Sequence, residues 1–189
     1  MLAACAAGGY FTYTRLAENG EPPRVLQATT VFELPDFTLP DLDGTPRSIR
    51  SWAGTQQGLL INFWATWCAP CLREIPLLTQ FQADQGANAQ VIGIAVDRLD
   101  DVVEFAPGMN FNYPILVGQS EAMEAAQGFG VEFLALPFTV FTAPGGEVLA
   151  VHTGEVTAGD LDNYTAVLGE IASGTLSTAA ARQRLAGRE

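Results

Sequence analysis

The stretch LLINFWATWCAPC, residues 59–71, places two cysteines directly after an apolar run. The run is typical of a central strand buried on both faces. A helix is expected to follow, so the stretch predicts a strand that delivers Cys68 and Cys71 to a helix N-terminus. There the first sulfur lies where the helix favours negative charge, and the pair can close a disulfide. The same spacing also suits zinc, so other residues must decide between the two.

The supply of metal ligands argues against zinc. The chain has three cysteines, Cys5, Cys68 and Cys71, and one histidine, His152. A four-ligand zinc site would therefore have to recruit carboxylates from elsewhere. A structural disulfide framework would need more cysteines, spread further apart. We expect a redox-active Cys68–Cys71 pair, no metal, and no cofactor beyond that disulfide.

The composition excludes some classes of function. The chain has 189 residues, 48% of them hydrophobic, which is enough for one packed domain with extensions. Its net charge is −12, and the nine basic residues are all arginines that form no cluster. Nucleic-acid binding therefore has almost no electrostatic support.

Three regions are expected along the chain. Residues 1–31 are predicted to be a signal-like or membrane-anchor segment with a linker, although the apolar part, residues 1–14, is shorter than the ~20 residues that span a bilayer. Cys5 lies in a lipobox-like context, but too few residues precede it, and we favour an unmodified Cys5. Residues 32–173 are predicted to form the domain, and residues 174–189 a tail in which a helix from Ser177 is one option.

The pattern of apolar residues and turns predicts an α/β fold. An Asp-Gly turn at Asp43 and Gly44 indicates an early β-hairpin, and Ser120 is expected to be a helix N-cap. Pro76 should kink the first long helix, and His152 is expected in an edge strand. The predicted strands are 58–65, 90–96, 113–117, 138–141 and 147–152, and the predicted helices are 69–85, 99–105, 120–127 and 160–171. Strands that alternate with helices imply a parallel sheet, to which the last two strands add an antiparallel pair.

Two separated strings carry a resemblance to a known family. FWATWCAPCLRE, residues 63–74, is followed about 65 residues later by LPFTVF, residues 136–141. In this order they resemble the thioredoxin superfamily and, within it, the TlpA/ResA/DsbE-like branch of bacterial envelope thiol-disulfide reductases, some of which serve cytochrome c maturation. The resemblance covers roughly residues 32–171. It implies a thioredoxin-like fold, a mixed sheet flanked by helices, with an added N-terminal β-hairpin.

The cysteine pair is expected to act by thiol-disulfide exchange. Cys68 is the predicted nucleophile, with a pKa below the ~8.5 of free cysteine, and Cys71 resolves the mixed disulfide. Ala69 and Pro70 offer no charge that would stabilise the thiolate, which favours a reductant over an oxidant. Trp67, Ala69 and Pro70 are expected to contact the substrate.

The resemblance adds three further site residues. Glu74 corresponds to an acidic residue that tunes cysteine acidity in the family; a solvated helix residue is the equal alternative. Pro137 corresponds to the cis-proline that faces the dithiol, so that Leu136 offers backbone groups to an extended substrate. An ordinary trans proline is its alternative. Ordinary thioredoxins carry a buried Asp where this chain has Asn62, which favours the envelope branch.

The leading prediction is therefore an enzyme, a thiol-disulfide reductase of partner proteins on the periplasmic side of the bacterial envelope, either anchored to the membrane or secreted. The resemblance implies a membrane thiol relay as its electron donor. A thiol peroxidase on the same fold is a second hypothesis. A peroxidase would need Thr or Ser three residues before Cys68, where this chain has Ala65. A non-catalytic chaperone or assembly module is a third, against which the intact cysteine pair argues. The carboxylates of the run from Asp97 to Asp101 are interpreted as charges that favour a helix start, with partner recognition as the alternative.

Overall fold

A computed structural model describes residues 25–27, 33–131 and 135–186. The strands and helices are, in chain order, β1 Val25–Gln27, β2 Thr38–Pro40, β3 Pro46–Ser48, α1 Arg50–Ala53, β4 Gly58–Trp64, α2 Ala69–Gln85, β5 Ala89–Val96, α3 Leu99–Phe105, β6 Ile115–Gly118, α4 Ser120–Gly128, β7 Phe138–Thr142, β8 Val148–Thr153, α5 Ala158–Ala172 and α6 Thr178–Ala186. A short 3₁₀ turn, Ala106–Gly108, follows α3.

Six strands form one mixed sheet in the order β1-β8-β7-β4-β5-β6. β4 pairs in parallel with β5, and β5 with β6. β7 pairs antiparallel with both β4 and β8, and β8 with β1. β2 and β3 form a separate two-stranded hairpin. The predicted α/β class, the mixed sheet and the added hairpin are confirmed.

β4 lies at the centre of the sheet and is buried along its whole length. Its side chains alternate between two apolar layers, as the two-residue period of a strand requires. Leu60 and Trp64 pack with α2 and α5 on one face, and Ile61 and Phe63 pack with α4 and the hairpin on the other. Burial on both faces therefore holds the end of β4, which leads to the cysteines, at the middle of the molecule.

α2 begins at Ala69 and ends at Gln85, the predicted bounds. Its buried side carries Ile75, Leu78 and Phe81, which recur at helical spacing. Pro76 lies inside the helix with its ring exposed, so the missing N–H is on the solvent side. The apolar stripe thus fixes which face of α2 is turned towards the sheet.

Two local predictions are wrong. Ser120 is the first residue of α4 rather than its N-cap, and the N-cap residue, Gln119, makes no side-chain cap hydrogen bond. His152 does not lie in an edge strand, because β1 pairs with β8 and covers it, and His152 is buried. β1 falls in a segment predicted to be a linker; its three residues are too few to show a strand period.

The C-terminal tail contains a helix, the option considered from the sequence. α6 packs on β8 with Ala181 and Leu185 buried. Arg182 donates from Nε to the carbonyl of Val148 over 2.9 Å and pairs with Glu147. The tail is therefore part of the packed structure.

The predictions for the N-terminal segment lie mostly outside the described residues. Residues 1–24, Cys5 among them, and residues 28–32 are not described. In the described ranges, no helix combines the length and apolarity needed to cross a bilayer. The predicted anchor therefore stays a prediction.

Candidate active site

The two cysteines form a disulfide at the start of α2. Their sulfurs are 1.96 Å apart and their Cα atoms 5.3 Å apart. Cys68 is the N-cap residue, and its Sγ accepts a hydrogen bond from the backbone N–H of Cys71 over 3.3 Å. Pro70, in the first turn, has no N–H that would need a partner there. The first sulfur is thus placed at the positive end of the helix, as predicted.

Both cysteines are buried, but Cys68 keeps a small exposed fraction. Cys68 is 5% exposed, whereas Cys71 is fully buried behind it. Trp67, 70% exposed, and the exposed Ala69 surround Cys68 together with the half-buried Pro70. An incoming thiol or disulfide therefore meets Cys68 first, on a largely apolar rim. The substrate contacts predicted for this rim stay predictions.

An aspartate that the sequence analysis did not assign to the site holds the loop before Cys68. Asp97 Oδ2 accepts the backbone N–H of Thr66 over 3.1 Å and its hydroxyl over 2.6 Å. Asp97 directly follows β5, the parallel neighbour of β4. The carboxyl ends of parallel strands meet at one edge of the sheet. The position of Asp97 directly after a predicted strand is therefore the sequence signal that points to its place near Cys68.

Glu74 is buried, 2% exposed, so the alternative of a solvated helix residue is wrong. Its Oε1 accepts from Asn62 Nδ2 over 2.7 Å, and its Oε2 accepts from the backbone N–H of Val156 over 2.9 Å. Burial raises the pKa of Glu74 from 4.5 to about 7, although both hydrogen bonds favour the charged form. The nearby charge of Glu155 raises the pKa further.

Glu74 lies on the same helix face as Cys71. The two residues are three positions apart on α2, and both are buried. Asn62 also donates to Thr139 Oγ1 over 3.0 Å, so β4 and β7 together support the carboxyl group. The role of Glu74 in tuning cysteine acidity stays a prediction.

The peptide bond between Leu136 and Pro137 is cis, as predicted, and not trans. Phe138 of β7 pairs with Phe63 of β4, so Pro137 lies at the end of β4 that leads to Cys68. The carbonyl of Pro137 accepts the N–H of Gly154 over 2.8 Å, which joins it to the loop after β8. Leu136 is half-buried beside it. Their contact with a substrate stays a prediction.

The described ranges hold no group of three or more His, Cys, Asp and Glu side chains that could bind a metal ion. His152, which is not a predicted site residue, is buried, and its Nε2 is 3.1 Å from the carbonyl oxygen of Glu155. The Cys68–Cys71 disulfide is the reactive group that the sequence predicts, and it lies at the N-terminus of α2 with only Cys68 partly accessible.

A disulfide that caps a helix after a central strand, with a cis-proline at the same end of the sheet, defines a thioredoxin-fold dithiol-disulfide protein. The sequence profile of the AhpC/TSA family matches residues 32–151. The chain belongs to this family, and the predicted thioredoxin-like resemblance is confirmed.

Named relatives specify the chemistry. The thiol-disulfide oxidoreductase ResA of Geobacillus kaustophilus is 30% identical over 167 residues, which cover 87% of this chain and 89% of the relative. A thiol:disulfide interchange protein of Chlorobium tepidum has a TM-score of 0.63 and 28% identity, covering 72% of this chain and 95% of its own. A secreted thiol-disulfide isomerase of Corynebacterium glutamicum has a TM-score of 0.63 and 25% identity, covering 79% and 93%. The chain is a thiol-disulfide oxidoreductase, and the predicted enzyme class is confirmed.

Proposed function

We propose that the protein reduces disulfides of partner proteins. The observation that carries the proposal is the placement of the two cysteines: Cys68 is the N-cap of α2, accepts a helix N–H and is 5% exposed, whereas Cys71 lies within the helix and is fully buried. This arrangement suits a nucleophile and a resolving thiol in that order. Protein thiols and disulfides are the substrate class that the oxidoreductase family implies.

The exchange balances without a cofactor. In the reduced protein, the Cys68 thiolate attacks one sulfur of the partner's disulfide, and the other partner sulfur leaves as a thiolate. Cys71, deprotonated, then attacks Cys68 Sγ, which breaks the mixed disulfide and releases the second partner thiolate. Two electrons and two protons pass to the partner, and the Cys68–Cys71 disulfide is restored. A donor dithiol must reduce this disulfide again for turnover.

Charge near the sulfurs favours the reducing direction. A dithiol becomes an oxidant when its reduced, thiolate form is stabilised. Ala69 and Pro70 carry no charge, and a buried carboxyl at Glu74 disfavours a second negative charge nearby. These residues support a reductant.

We further propose that the protein works on the periplasmic side of the bacterial envelope, tethered through its N-terminal segment and reduced by a membrane thiol relay. Relatives that include a secreted thiol-disulfide isomerase support an extracytoplasmic setting. The resemblance to the ResA-like branch makes apocytochrome c thiols one substrate of this class.

Redox titration and substrate trapping test the proposal. We expect the Cys68–Cys71 couple to equilibrate with glutathione buffers at a potential near that of thioredoxin, about −270 mV, and not near the −120 mV of strong oxidants. The wild type should reduce insulin disulfides, Cys68→Ser should not, and Cys71→Ala should accumulate a mixed disulfide through Cys68. An oxidising potential would reverse the direction. Faster turnover of hydrogen peroxide than of insulin would support the peroxidase reading instead.

A further inference from the structure

A groove of about 490 Å³ lies beside the loop that carries the reactive cysteine. Its lining residues come from that loop, from α3 and from the following 3₁₀ turn; they are Thr66, Asp101, Glu104, Phe105, Gly108 and Met109. Thr66 is held by Asp97 and stands two residues before Cys68. The groove therefore adjoins the site and is fixed relative to it.

The groove has an apolar floor and an acidic rim. Phe105 and Met109 are half-buried and pack on the cluster that contains Trp64 and both cysteines. Asp101 and Glu104 are exposed and lie on the same face of α3 as Phe105, at helical spacing.

The described residues balance the negative charge of the rim only in part. In the described part of the chain, the cation near Asp101 is the exposed Arg98, whose Nε is 3.9 Å away, and Glu104 forms no ion pair. The chain as a whole carries −12. A cationic group from outside is the complement of this rim.

We propose that this groove binds an Arg or Lys side chain of the substrate polypeptide, two or three residues from the cysteine that Cys68 attacks. The inference rests on the proposed function. An extended chain advances about 3.3 Å per residue, so a substrate cysteine at Cys68 brings a residue two or three positions away beside Thr66. The aliphatic stem then lies on Met109, the cation faces the ring of Phe105, and Asp101 and Glu104 lie at the rim.

Two other clefts do not fit this role. One is lined by residues that include Asp97 and Arg98, and the other by residues that include Arg50 and Glu147. Neither is lined by a residue of the loop 65–68, and each already contains an arginine. The thioether of Met109 adapts to differently shaped neighbours, which suits a groove that accepts more than one substrate.

Single-turnover kinetics on matched peptides test the inference. The fully reduced protein is mixed with disulfide peptides that carry Arg, Ala or Glu three positions before or after the cysteine, and the reaction is quenched with acid. Each rate constant is divided by that of the same peptide with dithiothreitol, which removes the effect of the peptide's own charge on its sulfur. For one of the two placements, before or after the cysteine, we expect the Arg peptide to react about five- to tenfold faster than the Glu peptide at low salt. The ratio should fall towards one at about 0.5 M NaCl.

Two isosteric variants distinguish an effect of the groove from an effect of the protein's net charge. Glu104→Gln should lower the Arg-to-Glu ratio about two- to threefold. Glu124→Gln removes the same charge from an exposed position on α4 and should leave the ratio unchanged. Equal normalised rates for the Arg and Glu peptides, or equal losses in both variants, overturn the groove assignment. A reduced wild type that reduces none of the peptides overturns the proposed function, and this inference with it.

Discussion

At the scale of single residues, Glu74 is the carboxyl group at the site whose pKa is raised by burial in the fold. It is a buried carboxyl group that accepts hydrogen bonds from Asn62 and from the N–H of Val156. Burial raises its pKa to about 7, so the group changes charge near neutral pH. This is the range in which cysteine thiols near a helix N-terminus also titrate.

We predict that Glu74 makes the oxidised protein less stable as the pH rises from 4.5 to about 7. In that window the unfolded chain releases the proton and the native state keeps it, so unfolding becomes easier by up to about 3 kcal/mol. Glu74→Gln lacks this titration. Urea unfolding of both proteins across the window should show that the free energy of unfolding of the wild type falls with rising pH relative to that of Glu74→Gln. Parallel pH curves, or the same shift in Glu124→Gln, would contradict the prediction.

A second prediction concerns the thiols of the reduced protein. A charged Glu74 disfavours thiolate formation nearby, so Glu74→Gln should lower the pH at which Cys68 becomes reactive. The pH profile of Cys68 alkylation measures this. A profile identical to that of the wild type would remove Glu74 from the site.

The residue types at the site were predictable to different degrees. Cys68, Cys71 and Pro137 stand in motifs of fixed spacing, and sequence alone placed them. Sequence alone does not decide whether Glu74 is buried, because its partner Val156 is 82 positions away and burial at one helix position depends on that distant loop. Asp97 was read as a helix-start charge, since nothing local shows that it accepts hydrogen bonds from Thr66.

At the scale of elements, the site is assembled from the ends of three segments. The loop after β4 is tied to the end of β5 through Thr66 and Asp97. α2 is tied to the loop after β8 through Glu74 and Val156, and that loop is tied to Pro137 through Gly154. The helix N-terminus, the reactive loop and the cis-proline are thus connected by hydrogen bonds rather than by apolar packing alone.

We predict that the bond to Asp97 contributes measurably to stability. Asp97→Ala leaves the N–H and the hydroxyl of Thr66 without their acceptor and should lower the free energy of unfolding by about 2–3 kcal/mol. Thr66→Val keeps the N–H bond and should cost about 1 kcal/mol, whereas Thr66→Ser, which keeps both, should stay within about 0.5 kcal/mol of the wild type. Urea denaturation gives all three values. An Asp97→Ala protein as stable as the Thr66→Ser protein would show that the contact contributes nothing.

Helices with strong periodicity were predicted closely, and short or capped segments were not. α2 and α3 have the expected bounds, since apolar spacing marks their extent and Gly86 and Pro107 follow closely on their ends. β1 was missed because three residues carry no period and its pairing with β8 is long-range. Ser120 was assigned one position too far from the helix, which is within the usual uncertainty of helix boundaries.

At the scale of the whole molecule, one end of the sheet carries the redox site and the other end packs against α6. Cys68 and Pro137 lie at the carboxyl end of β4. α6 contacts Val148, which pairs with Thr142 near the opposite end. Stability supplied by α6 should therefore be separable from the redox chemistry.

We predict that Leu185→Ala lowers the free energy of unfolding by about 2–4 kcal/mol, because the side chain is buried between α6 and the sheet. The reduction potential of the Cys68–Cys71 couple should stay within about 30 mV of the wild type. Denaturation and glutathione titration measure the two effects on the same preparation. The exposed Met123→Ala serves as control and should change neither. A larger potential shift in Leu185→Ala would show that the two ends are coupled.

The outermost strand β6 has only four residues. An isolated bridge between Asp41 and Leu116 occupies part of β6 as well. Along β6, little unpaired main chain is left for another polypeptide to pair with, which discourages edge-to-edge association at this side of the sheet. A polypeptide that approaches the sheet therefore meets the strand ends, and the Cys68–Cys71 disulfide lies at one of them.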